Sequence, residues 1–133
     1  MKEMKKCPVS EVCGGCQLQH LTYENQLEYK QKKAEKYLAS FGRVKRVIPA
    51  EDPYHYRNKV QVTYGRDHKG RIIYGNYVSS THQIVQIKDC QIACKTANRI
   101  FETIRQMLIS FKLGTFDENS MQGFLRHVMV RVN

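Results

Sequence analysis

The chain has 133 residues, with 22 Lys and Arg against 12 Asp and Glu, a formal charge of +10. That length fits about one domain with one modest core, and 41% hydrophobic with 26% charged residues is too apolar for a disordered tail. No apolar run approaches the roughly 18 residues of a membrane span; the basic start MKEMKKCPVS lacks the apolar stretch of a secretory signal, so a cytoplasmic protein is expected.

Residues 1–20 place Pro8, Gly14 and Gly15 among three cysteines and read as a tight loop, neither helix nor strand. Residues 22–41 read as a helix. Thr22 is its N-cap, Glu24 suits the first turn, and Gly42 stands at the stop position. Tyr23, Leu27, Ala34, Leu38 and Phe41 recur at helical spacing, opposite a face rich in Lys30, Lys32, Lys33 and Lys36. Val44, Val47 and Ile48 suit a short strand, and Pro49 and Pro53 bracket a loop.

Val60 to Tyr64 alternates as a strand. Asp67-His68-Lys69-Gly70 supplies turn chemistry, and Arg71 to Tyr77 returns as its hairpin partner. His82 to Lys88 is a third strand, running into Asp89-Cys90. Thr96 to Phe111 reads as a second helix with Ile100, Ile104, Met107, Leu108 and Phe111 along one side. Phe124 to Val132 is a last strand with Phe124, Val128, Val130 and Val132 on one face. The sequence stops inside that pattern, as expected of a truncated protein or an excised domain.

The chemistry starts with the cysteines. Five in a cytoplasmic chain are not expected to form disulfides, and an odd count leaves one over. Cys7, Cys13 and Cys16 form C-x5-C-x2-C, one residue longer than the plant-type ferredoxin spacing. Gly14 and Gly15 allow positive φ and bring amide N–H groups toward the sulfurs, which offsets thiolate charge. A fourth ligand must come from about 73 residues downstream, with Cys90 the better candidate and Cys94 the second. Zinc competes, either on Cys13, Cys16, Cys90 and Cys94 or with His20 as a ligand. The excess positive charge points to a polyanion. With no long basic amphipathic helix to lie on a membrane, nucleic acid is the expected partner.

At this point the chain resembles a known family. Cys7-Pro8 through Cys13-Gly14-Gly15-Cys16-Gln17-Leu18-Gln19-His20 is similar to the cluster loop of the S-adenosylmethionine-dependent RNA (uracil-5-)-methyltransferases, which act on 23S rRNA or tRNA. Tyr56-Arg57-Asn58-Lys59-Val60-Gln61 resembles a later strand start of that family. Gly75-Asn76-Tyr77 with His82-Gln83-Ile84-Val85 and Cys90 resembles the strand pair before its fourth cysteine, and Leu125-Arg126-His127-Val128 the strand before its catalytic half. The resemblance implies a [4Fe–4S] cluster on Cys7, Cys13, Cys16 and Cys90, with Cys94 a free thiol. The family's methyltransferase domain, with its S-adenosylmethionine site, nucleophilic cysteine and carboxylate base, has no counterpart here. No glycine-rich strand–turn–helix motif is present, so no catalytic residue is assigned.

Arg57, Lys59, Arg126 and His127 are the candidate RNA contacts, to phosphates or by stacking. The plainer reading is a solvated strand edge or a domain contact. Tyr54, Tyr56, Tyr64, Tyr74 and Tyr77 lie on loops and strands, where they could stack on unpaired bases.

The expected fold is α+β: a small antiparallel sheet, two helices and an N-terminal cysteine-rich metal loop. The expected division is a cluster-binding loop at 1–21, a helical segment at 22–43 and a central RNA-binding and cluster domain at 44–133. In the resembled family the helix packs on the catalytic domain. With that partner missing, a homodimer through helix 22–41 is expected. Beside the RNA-positioning role stand two alternatives: a stand-alone metal-stabilised RNA- or protein-binding module, and a small electron-transfer protein.

Overall fold

The computed structural model describes residues 6–133, so the first five residues of the expected cluster loop lie outside the described part. The elements run α1 (Tyr23–Leu38), β1 (Lys59–Arg66), β2 (Ile72–Tyr77), β3 (Ile84–Gln86), α2 (Lys95–Ser110) and β4 (His127–Arg131). The four strands form one antiparallel sheet in the order β3-β2-β1-β4. The α+β class is as expected.

The β1–β2 hairpin forms because Asp67 closes its turn. The Asp67 carboxylate accepts the backbone N–H groups of Lys69 and Arg71, both at 2.9 Å, while Gly70 takes φ +75°. Alternation then sorts the side chains. Val62 and Tyr64 of β1, Ile72 and Tyr74 of β2 and Val130 of β4 turn to the face that α2 covers. Ala97, Phe101 and Leu108 of α2 complete this core. Tyr64, Tyr74 and Phe101 are its largest fully buried side chains, with ring centroids 5.5 and 6.1 Å apart in tilted contacts. The Tyr64 hydroxyl donates to the Phe101 carbonyl at 2.7 Å, so its one polar atom is satisfied inside the core.

Three details differ from the sequence expectation. Helix α2 presents a partly different face: Leu108 is buried and Ile104 packs on the core as expected, but Phe101 and Ala97 also point inward, whereas Ile100, Met107 and Phe111 are exposed. Phe124 is exposed and precedes β4 instead of joining its buried face. Val44 to Ile48 forms no strand. It runs back along α1, where the Gln31 side chain accepts from the Val47 N–H at 2.7 Å and the Tyr23 hydroxyl accepts from the Ala50 N–H at 2.7 Å.

Helix α1 starts where expected, with the Thr22 hydroxyl accepting from the Asn25 N–H. It ends at Leu38, three residues before the expected stop, and none of its residues is buried. No helix among the described residues is long and apolar enough to cross a membrane.

Candidate functional site

Cys7, Cys13, Cys16 and Cys90 line one pocket, together with Asn76, Gln19, Ile87 and Ile92. All four are half-buried free thiols. The loop reaches the sheet at the end of β2. Cys13 makes an isolated antiparallel bridge with Val78, and the Gly14 N–H donates to the Tyr77 carbonyl at 3.0 Å.

Two N–H groups face the Cys13 sulfur: the Gly15 backbone at 3.4 Å and the Asn76 side chain at 3.6 Å. The glycines matter for space, not for handedness. Neither Gly14 nor Gly15 takes a positive φ. A Cβ on Gly15 would stand 2.7 Å from Asn76 Nδ2, and one on Gly14 3.0 Å from the Tyr77 carbonyl oxygen.

Cys90 is held from the other half of the chain by Asn98, a buried residue of α2. The Asn98 side-chain amide donates to the Cys90 carbonyl at 3.1 Å and to the Asp89 carboxylate at 2.7 Å. Its oxygen accepts the Cys90 N–H at 3.3 Å. A second tie joins the two halves, with Gln19 donating to Gln91 at 3.0 Å. Sequence reasoning missed Asn98. Its only signal is a polar residue on the inward side of an amphipathic helix, one turn after a cysteine.

The electrostatics follow from this crowding. Burial pushes the Cys16 thiol above its ordinary pKa, and the neighbouring Cys90, Cys13 and Cys7 raise it further. The Arg57 guanidinium pulls the other way. Arg57 thus stands beside the cysteine loop and lines an adjoining pocket with Cys16, Gln26, Lys30 and Tyr56. Cys94 takes no part. It is the N-cap residue of α2 and packs against the core. His20 is exposed and does not line the cysteine pocket.

The other three candidate contacts lie on the opposite, open face of the sheet or at its rim. Lys59 is exposed and sits across from Arg131 of β4. His127 pairs with Thr63, its Nδ1 sharing a hydrogen bond with the Thr63 hydroxyl at 3.0 Å. Arg126 makes an ion pair with Glu118 at 2.6 Å and lies over the Phe116 ring, 5.2 Å from its centroid. Of the five candidate stacking tyrosines, Tyr64 and Tyr74 are core residues, Tyr54 is half-buried, Tyr56 is exposed, and Tyr77 stands on the open face beside His82.

No protein-family model matches the chain. Its curated relatives are described as uncharacterised RNA methyltransferases. One from Clostridium tetani is 38% identical over 129 residues, covering 94% of this chain and 28% of that protein. One from Clostridium acetobutylicum is 39% identical over 132 residues, again 94% and 28%. Among solved structures, the tRNA (uracil-54, C5)-methyltransferase of Pyrococcus abyssi, in complex with S-adenosyl-L-homocysteine, superposes with a TM-score of 0.71 at 29% identity. That match covers 94% of this chain and 29% of that one. In sequence and in fold, then, this chain is similar to RNA methyltransferases, and it spans about 28% of the length of the curated relatives it matches.

Proposed function

We propose that this chain is the cluster-binding, RNA-positioning part of an RNA (uracil-5-)-methyltransferase, acting on rRNA or tRNA. Methyl transfer from S-adenosylmethionine to uracil C5 then belongs to a separate methyltransferase domain of the whole protein. The observation that carries the reading is the gathering of four thiols, three from the N-terminal loop and one from beyond β3, around one pocket, in a chain that aligns with RNA methyltransferases.

The donor set fits a [4Fe–4S] cluster on Cys7, Cys13, Cys16 and Cys90. All four ligands are sulfur, and N–H groups stand ready to offset charge at Cys13. Among the described residues, no group of three or more His, Cys, Asp or Glu side chains is arranged to hold a metal ion, so the proposal rests on the residue types, their spacing and the shared pocket. Such a cluster acts as a structural staple between the loop and the sheet. Closing a loop of this length is worth up to about 4–5 kcal/mol in chain entropy, by analogy with a disulfide.

The three-part division at 21 and 43 belongs to the same reading. Its support is that α1 contributes nothing to the core and leaves Leu38 and Phe41 exposed. We assign that stripe to packing on the methyltransferase domain. Self-association of the isolated chain follows if the stripe is unpartnered. Light scattering at micromolar concentration should then report a dimer, lost in the double variant Leu27→Lys, Leu38→Lys.

The test of the main reading is anaerobic preparation followed by iron and sulfide analysis. About four of each per chain are expected, lost on Cys7→Ser, Cys13→Ser, Cys16→Ser or Cys90→Ser and kept on Cys94→Ser. Binding to single-stranded RNA should weaken with salt. Contact with about four phosphates gives a slope of log K on log[salt] near −3. A colourless protein with one zinc per chain would favour the stand-alone metal-stabilised module.

A further inference from the structure

The sheet face opposite α2 carries a polar cavity of about 560 Å³, within the size range of small-ligand sites. It is separate from the cysteine pocket and shares no lining residue with it. Its centre is Glu118. One carboxylate oxygen accepts from His82 Nδ1 at 2.6 Å. The other accepts from Arg126 Nη2 at 2.6 Å and from the Tyr77 hydroxyl at 3.5 Å.

This one carboxylate fixes two flat surfaces. The His82 ring stacks on Tyr77 at 5.3 Å with 26° between planes. The Arg126 guanidinium lies over Phe116. Imidazole and guanidinium planes are the surfaces on which unpaired nucleobases stack. The His82 side chain is 75% exposed, so its stacking surface is open to a ligand.

The same face leads away from the cavity along β1 and β4. Thr63 and His127 stand at its edge, then Gln61 opposite the exposed Met129, then Lys59 opposite Arg131. Like charges directly opposite on adjacent strands are unfavourable unless an anion lies between them. From Thr63 to Lys59 is roughly 13 Å along the strand, a reach suited to a short run of backbone phosphates.

We infer that this open face is the RNA track of the protein: one unpaired base stacks in the cavity on His82 and Arg126, and the Lys59–Arg131 pair holds the backbone. The inference rests on the RNA-binding part of the function proposed above and deepens it by naming the surface. Glu118 is a positioning residue. It aims both planes through its hydrogen bonds to His82 and Arg126.

The test uses a ten-nucleotide single-stranded RNA of mixed sequence carrying one 5-iodouridine. Irradiation of its complex with the anaerobically prepared chain should crosslink Tyr77, His82 or Phe116, identified by peptide mass spectrometry. By fluorescence anisotropy, His82→Ala should weaken binding about 5- to 150-fold, the loss of one stacked base. Lys59→Ala with Arg131→Ala should flatten the salt slope by about 1.4, the share of two phosphates on a single strand. All three substitutions are on exposed side chains, and unchanged thermal melting verifies the fold.

Salt-dependent RNA binding with crosslinks elsewhere, and with both variants unaffected, overturns this surface while leaving the RNA reading in place. No RNA binding by the unaltered chain overturns both. Binding of an acidic protein instead of RNA by the same residues also overturns the inference.

Discussion

Asn76 and Tyr77 are neighbours on β2 whose side chains serve opposite faces of the sheet. The Asn76 amide reaches the Cys13 sulfur at 3.6 Å, and the Tyr77 ring stacks on His82 at 5.3 Å. The cysteine pocket and the polar cavity are therefore built back to back on one strand end. The Gly14 N–H to Tyr77 carbonyl bond ties the loop to that end directly.

Gly15→Ala should loosen this joint. The added Cβ would stand 2.7 Å from Asn76 Nδ2 and push that amide off its 3.6 Å contact with the sulfur, so Cys13 loses a hydrogen-bond donor. Iron retention under a mild chelator should fall severalfold, while the thermal midpoint of the apo chain changes little. Retention equal to the parent would show that Asn76 does not support the cysteine.

Asn98→Leu tests the anchor of Cys90. Leucine keeps the branched outline of the side chain, though it is bulkier, and leaves the Cys90 N–H and carbonyl unpaired. Leaving buried polar groups unsatisfied costs about 1–3 kcal/mol each. Denaturant titration should record that loss, and iron content per folded chain should drop with it.

Helix α2 offers a direct contrast between the two readings of its stripe. Phe101→Ala should cost about 3–5 kcal/mol, the usual price of emptying a buried aromatic site. Met107→Ala and Phe111→Ala should stay within about 0.5 kcal/mol, since both side chains are exposed. Equal losses at all three positions would contradict the inward face of the helix.

That face marks where the sequence was legible and where it was not. The β1–β2 hairpin and the positions of the four strands along the chain were readable because β-branched alternation and the Asp67–Gly70 turn are local signals; the sheet order was not. That Cys7, Cys13, Cys16 and Cys90 share one pocket was readable from spacing together with the family motifs. The inward face of α2 was not, because Ile100, Met107 and Phe111 are as apolar as Phe101, and only packing on Tyr64 and Tyr74 selects among them. The strand expected at Val44–Ile48 failed for a related reason. Gln31 of α1 takes the Val47 N–H that a neighbouring strand would otherwise need. Glu118 left no periodic trace, since it acts through His82 and Tyr77 far back in the chain, and Asn98 left only a polar residue on the inward side of α2.

Alkaline pH should unfold the protein through its buried phenols. Burial, with the nearby Glu102 carboxylate adding to it, pushes Tyr74 up to about 12, and Tyr64 is raised as well. Both stay neutral in the fold after an exposed tyrosine, with a pKa of about 10, has ionised. Their contribution is complete below that ordinary value and is lost as pH rises through about 10 to 12. The urea midpoint should therefore be flat to about pH 9 and fall steeply by about pH 11.5. Tyr74→Phe, which removes one of these phenols, should soften the fall.

The distance in sequence between the loop and Cys90 also sets an order of events during synthesis. Cys7, Cys13 and Cys16 emerge first, yet they dock on β2 and share their pocket with a thiol that follows β3. At roughly 5–20 residues per second of translation, the three leading thiols wait about 4–15 s before their fourth companion exists. Throughout that interval the loop lacks the downstream thiol that shares its pocket in the folded chain.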